Sequence, residues 1–113
     1  MRSCSNTTPA VKRGTTPTLQ VYFDGVEMSD VGSITFLLKA DTSEITPALV
    51  EKVVENPESN PVDVEFTVED TYLLPATEIW MDTRIVLHSG KIPPTEMVQI
   101  NVMATLFPEN KGV

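Results

Sequence analysis

The sequence predicts an all-β fold, an antiparallel β-sandwich of about 6–7 short strands with at most one short helical turn. Three observations carry that expectation. Apolar and polar residues alternate with period two in several separate runs, the signature of half-buried strands. Clusters of Gly, Pro, Asp, Asn and Ser recur about every 8–15 residues and bound those runs. No stretch keeps a helical spacing long enough for the crossover helices of a parallel sheet. At 113 residues the chain fits one domain.

Residues 1–14 lack apolar periodicity and read as an extended or disordered arm; residues 15–108 form the sandwich and 109–113 a C-terminal tail. Leu19, Val21 and Phe23 alternate with Gln20, Tyr22 and Asp24, and Asp24-Gly25 supplies a turn. Ile34, Phe36 and Leu38 form the next strand, bounded by Asp30 and Gly32 before it and Asp41-Thr42-Ser43 after it. Segment 48–55 has a one-turn helical face at Ala48, Leu49, Lys52 and Val53. Its β-branched Val50, Val53 and Val54 favour strand. Asn56-Pro57 and Asn60-Pro61 stop any helix there.

Val62, Val64 and Phe66 give the clearest alternation, with Asp63 and Glu65 on the wet face. Glu69-Asp70-Thr71 suits one helical turn or a loop crossing between sheets, ended by Pro75. Residues 78–88 form the longest strand. Ile79, Met81, Thr83, Ile85 and Leu87 face one way; Trp80, Asp82, Arg84, Val86 and His88 face the other. After the Ser89-Gly90-Lys91 turn and Pro93-Pro94, the last strand places Val98, Ile100, Val102, Ala104 and Leu106 on one side.

The formal charge of −8 argues against nucleic-acid binding, which depends on Lys and Arg displacing phosphate counterions. No apolar run reaches the roughly 18–20 residues of a membrane-spanning helix. The first 17 residues lack a leader-like apolar stretch, which predicts an intracellular product. Charge is uneven: residues 1–23 hold three bases and no acid, the remainder five bases and 16 acids. Such a basic arm either docks on a neighbouring acidic subunit or frays in solvent.

Chemistry-bearing residues are sparse, and no catalytic, cofactor-binding or metal site is expected. His88 sits beside a turn without partner ligands, and Cys4 lacks a nearby base and a second cysteine. Asp63 and Glu65 stand roughly 6–7 Å apart on one strand face, a spacing compatible with acid/base work but equally with a solvated face. The loop acids Asp24, Glu27 and Asp30 lack the spacing of a calcium loop. Asn6-Thr7-Thr8 matches a glycosylation acceptor by chance, and the five glycines are too scattered for a phosphate loop. No small-molecule ligand is expected, although Trp80 with Tyr22 and Phe107 could form a sugar-stacking platform.

One pattern points to assembly. Trp80 and Val86 face away from the core side of their strand, and Leu37, Met103 and Phe107 are likewise off the core faces. An outer face of a lone sandwich should be polar, so apolar residues there predict a homo-oligomer or docking into an assembly.

RGTTPTL (13–19) resembles the opening stretch of a family of small phage and prophage structural proteins. FTVEDTYLL (66–74) and MDTRIVLHSGKI (81–92) are similar to two later segments of that family, in the same order. The family resembles in turn the N-terminal immunoglobulin-like domain of phage baseplate upper proteins. The chain departs from the pattern at Ser89-Gly90, where the family has Asp-Gly, and in the insertion NPESNP (56–61). The resemblance implies an immunoglobulin-like sandwich and a non-enzymatic virion role in a tail or baseplate. Its partners would be other virion or tail proteins, with assembly in the bacterial host cytoplasm. The expected interface residues are Arg13, Thr15, Thr16 and Pro17 in the arm, with Trp80, Arg84 and Val86 on the outer face. Pro17 has two readings: it extends the arm along a partner, or it protects an edge strand from pairing. A carbohydrate-binding or adhesin-type module is the alternative function.

Overall fold

Two long alternating stretches make the centre of the larger sheet. Val31–Lys39 (β3) and Glu78–Leu87 (β6) pair antiparallel over nearly their whole length, with Ile34 opposite Ile85 and Leu38 opposite Met81. The computed structural model describes residues 9–108. Within them lie Ala10–Lys12 (β1), Thr18–Val21 (β2), Val50–Glu55 (β4), Val62–Glu65 (β5), Val98–Met103 (β7) and one α-helical turn, Val68–Tyr72 (α1). A second short turn, of 3-10 type, spans Met28–Asp30.

The strands form a five-stranded sheet in the order β1-β7-β6-β3-β4 and a two-stranded sheet of β2 and β5. The order β7-β6-β3-β4 against β2-β5 is that of the G-F-C-C′ and B-E strands of a variable-type immunoglobulin sandwich. The fold is therefore an immunoglobulin-like β-sandwich, as the sequence predicts, and segment 50–55 is a strand.

Three details correct the expectation. The sandwich is not wholly antiparallel, because β1 runs parallel to β7, with Val11 opposite Val102. The same strand moves the domain's near edge into the expected arm: Val11 is buried, and Arg13 N–H donates to the Met103 carbonyl at 3.0 Å. Residues 1–8 of that arm and the tail 109–113 lie outside the described residues. The last strand also stops early. Pairing ends at Met103, so Ala104 is exposed and Leu106 fully so.

The core is the set of inward positions that alternation selects. Phe36, Ile34, Leu38, Ile79, Ile85 and Ile100 from the large sheet are fully buried and face Val21, Val62 and Val64 from the small one. Each such side chain contributes about 1.5–3 kcal/mol by leaving water. Phe23, just past β2, meets Phe36 with ring centroids 6.4 Å apart. Asn60 fixes Phe23 there, since its amide donates to the Phe23 carbonyl at 2.7 Å and its oxygen accepts the Phe23 N–H at 3.0 Å.

The flank between β4 and β5 is closed by a side chain. Lys52 points inward from β4, lies 5.8 Å from the Phe66 ring centroid and pairs with Asp70 on α1. Thr67 caps α1: its hydroxyl accepts from Asp70 N–H while Asp70 accepts from the Thr67 N–H, a reciprocal box at the turn's start. Burial alone would raise the Asp70 carboxyl. The Lys52 ammonium and the Thr67 donors outweigh it and hold the group below the usual range.

Candidate protein-protein interface

The outward positions of β4, β3 and β6 form ordered rows. Glu51, Leu37 and Asp82 stand side by side, then Val53, Thr35 and Arg84, then Glu55, Ser33 and Val86. At the other end Trp80 lies between Lys39 on β3 and Gln99 on β7. No element among the described residues covers this face. Val53 stays 53% exposed and Met97 50%, while Leu37, Trp80 and Val86 are half-buried. An indole, two valines, a leucine and a methionine thus line the outside of the central strands.

The surface is grooved. One open depression of about 310 Å³ is lined by Thr35, Leu37, Glu51, Asp82, Thr83 and Arg84. A smaller one, about 80 Å³, runs from Leu37 and Asp82 past Trp80 and Met97 to the loop 41–44. Two groups there are held in place. The Ser43 N–H and the Thr46 side chain favour the charged form of Asp41 and lower its carboxyl, and Lys39 Nζ donates to the Ser43 and Glu44 carbonyls. Among the described residues, the one ion pair is Lys52–Asp70; Arg84, Asp82 and Glu51 share a groove without pairing.

The structure brings together Trp80, Arg84 and Val86 of the expected interface, and it places the arm residues elsewhere. Arg13 is turned into the chain: its Nη2 donates to the Tyr72 carbonyl at 3.1 Å and its guanidinium lies 5.4 Å from the Tyr72 ring centroid. Gly14 N–H donates to Thr71 Oγ1 at 3.0 Å, and Thr71 Oγ1 lies 3.1 Å from the Thr15 carbonyl it donates to. The Pro17 carbonyl accepts from Phe66 N–H, extending the β2–β5 pairing by one bond. Thr15 Oγ1 donates to the Lys12 carbonyl, and Thr16 remains exposed. RGTTP is thus an internal clasp between the chain's first strand and the turn before β6.

Thr71 and Tyr72, the other half of that clasp, were not expected to carry contacts. The Thr67-x-x-Asp70 spacing could have announced the helix cap, but nothing local announces a partner 57–59 residues away. Tyr72 also donates to the Phe107 carbonyl at 3.0 Å, which holds the segment after β7.

The remaining sequence candidates are dispersed. Asp63 and Glu65 are exposed on the outer side of β5, and His88 is exposed beside Gly32. Asp24, Glu27 and Asp30 line one depression, yet among the described residues no three His, Cys, Asp or Glu side chains gather to hold a metal. Tyr22 follows β2 in the small sheet and Phe107 lies past β7, so Trp80 does not share one platform with them.

No protein-family model matches the chain, and no curated protein matches it. Among solved structures the chain is similar to the extracellular domain of the voltage-gated sodium channel beta4 subunit, described as a parallel homodimer with a role in cell-cell adhesion. The two share 15% identity at a TM-score of 0.42, over 88% of this chain and 92% of that one. The fold assignment rests on the strand order above.

Proposed function

We propose that the protein is a non-enzymatic structural component of a phage or prophage particle, in the tail or baseplate, acting through protein-protein contact. The observation that carries the contact role is the set of partly exposed apolar residues Leu37, Trp80, Val53, Val86 and Met97 on the outer face of the larger sheet. Apolar side chains at such positions gain from being covered, at about 25 cal/mol per Å² removed from water. The resemblance at 13–19, 66–74 and 81–92 supports the virion setting. The clasp adds a physical reason for two of those segments to occur together, because Arg13 and Gly14 of one bind Thr71 and Tyr72 of the other.

Mass spectrometry of purified particles from an induced host tests this reading. The protein should be present at a fixed copy number, and Trp80→Ala should fold yet be lost from the particles. Absence of the wild-type protein from the particles would overturn it.

A second reading has one observation of its own. The small depression sets an indole beside Asp41, Thr42, Ser43 and Glu44, the mixture of ring face and polar groups that a sugar recognises. Glycan-array binding that disappears in Trp80→Ala would favour this carbohydrate-binding or adhesin-type role.

A further inference from the structure

We infer that the partner of this face is a second copy of the same chain, docked about a two-fold axis that sets Arg84 of each copy on Asp82 of the other. The inference rests on the contact role proposed above and names its occupant.

The argument is one of register and charge. An isologous interface requires one surface to carry both members of each complementary pair. This face does so in adjacent rows: Asp82 ends the row of Glu51 and Leu37, and Arg84 ends the next row, of Val53 and Thr35. Both are on β6, two residues apart, and both are exposed. Neither is in an ion pair among the described residues. A two-fold axis lying in the face, between these rows and parallel to them, exchanges the rows. Each Asp82 then lies over the partner's Arg84, and each Leu37 over the partner's Thr35.

The groove gives the guanidinium somewhere to go. It is open, it is about 310 Å³ in volume, and it places the carboxylates of Glu51 and Asp82 on either side of the apolar Leu37. A planar, always-charged fork that stacks on apolar surface while reaching carboxylates suits that lining better than an ammonium does. The same geometry suits an Arg84 that makes no ion pair among the described residues. In the dimer the two new pairs lie beside Leu37 and Thr35, where covering Leu37 excludes water and strengthens them.

Light scattering with size-exclusion chromatography on the full chain, over a range of concentrations, tests the pairing. The wild type should show a concentration-dependent dimer. Arg84→Asp alone and Asp82→Arg alone should each weaken it, by about tenfold or more. The double variant carrying both changes should recover self-association, since each new Arg then meets a new Asp across the axis. Mixing the two single variants should also recover association, because in the mixed dimer both carboxylates of one copy face the two guanidinium groups of the other; a mixture that stays as weak as either variant alone would contradict the pairing. Circular dichroism confirms that each variant folds. A wild type that stays monomeric at every concentration, or single variants that dimerise as the wild type does, would overturn the inference. Loss of Trp80→Ala from particles would still stand on its own, so the two readings fail separately.

Discussion

The Cβ that Gly14 lacks would lie 2.7 Å from the Tyr72 phenolic oxygen, and Gly14 holds a φ of +80°. Both facts trace to the clasp. The chain leaves β1, turns sharply at Gly14 and passes against the Tyr72 ring, whose hydroxyl reaches on to Phe107. Gly14→Ala should therefore cost at least about 2 kcal/mol, combining left-handed strain with a forced shift of Tyr72. Gly25 has a φ of +77° and open space around its Cβ position, so Gly25→Ala should cost only the strain, about 1 kcal/mol. Urea midpoints at unchanged slope measure both, and equal costs would show that the Tyr72 contact is unimportant.

Thr71 is fully buried and its hydroxyl serves Gly14 N–H, the Thr15 carbonyl and the Val68 carbonyl. Thr71→Val keeps the shape and strands those groups. The expected loss is about 1–3 kcal/mol, with amide exchange at Gly14 rising first. A variant as stable as wild type would mean that water replaces the hydroxyl.

Asp70 links acid stability to the flank that Lys52 closes. Its carboxyl is lowered in the folded chain, so the ionised form favours folding. The contribution is complete above about pH 5 and fades as the pH falls from the unfolded value near 3.9 through the lower folded one. Asp70→Asn should lose about 1 kcal/mol near pH 7, from cap and ion pair together. Its stability curve should also be flatter below pH 5. An acid limb as steep as that of the wild type would assign the pH dependence to other carboxylates.

Neighbours on β6 should separate stability from association. Ile79 is fully buried and Trp80 faces outward, although the two are adjacent in sequence. Ile79→Ala should cost about 2–5 kcal/mol. Trp80→Ala should cost less than about 1.5 kcal/mol and act mainly on association. Thermal melts and light scattering on the pair of variants check this.

Most of the fold was legible in the sequence because period-two alternation is a local signal. β3, β5 and β6 present their core residues at the expected positions, and 50–55 followed its β-branched valines. Where pattern and pairing part, the reason is long-range. β1 has three residues and one buried side chain, and its partner lies about 90 positions on at β7. The alternation through Ala104 and Leu106 continues beyond the last paired residue, so it marks no burial. On the outer face, Trp80, Arg84 and Val86 could be placed from strand parity alone. Arg13, Thr15 and Pro17 could not, because what they touch is set by the return of the chain at 66–72.

Trp80 is the one tryptophan in the chain, so its emission reports the outer face alone. Fluorescence followed from dilute monomer to assembled protein, with acrylamide as quencher, tests the central claim. Covering of the face by a partner predicts a blue shift and reduced quenching on assembly. An indole that is quenched to the same extent in the assembled and dilute protein would contradict it.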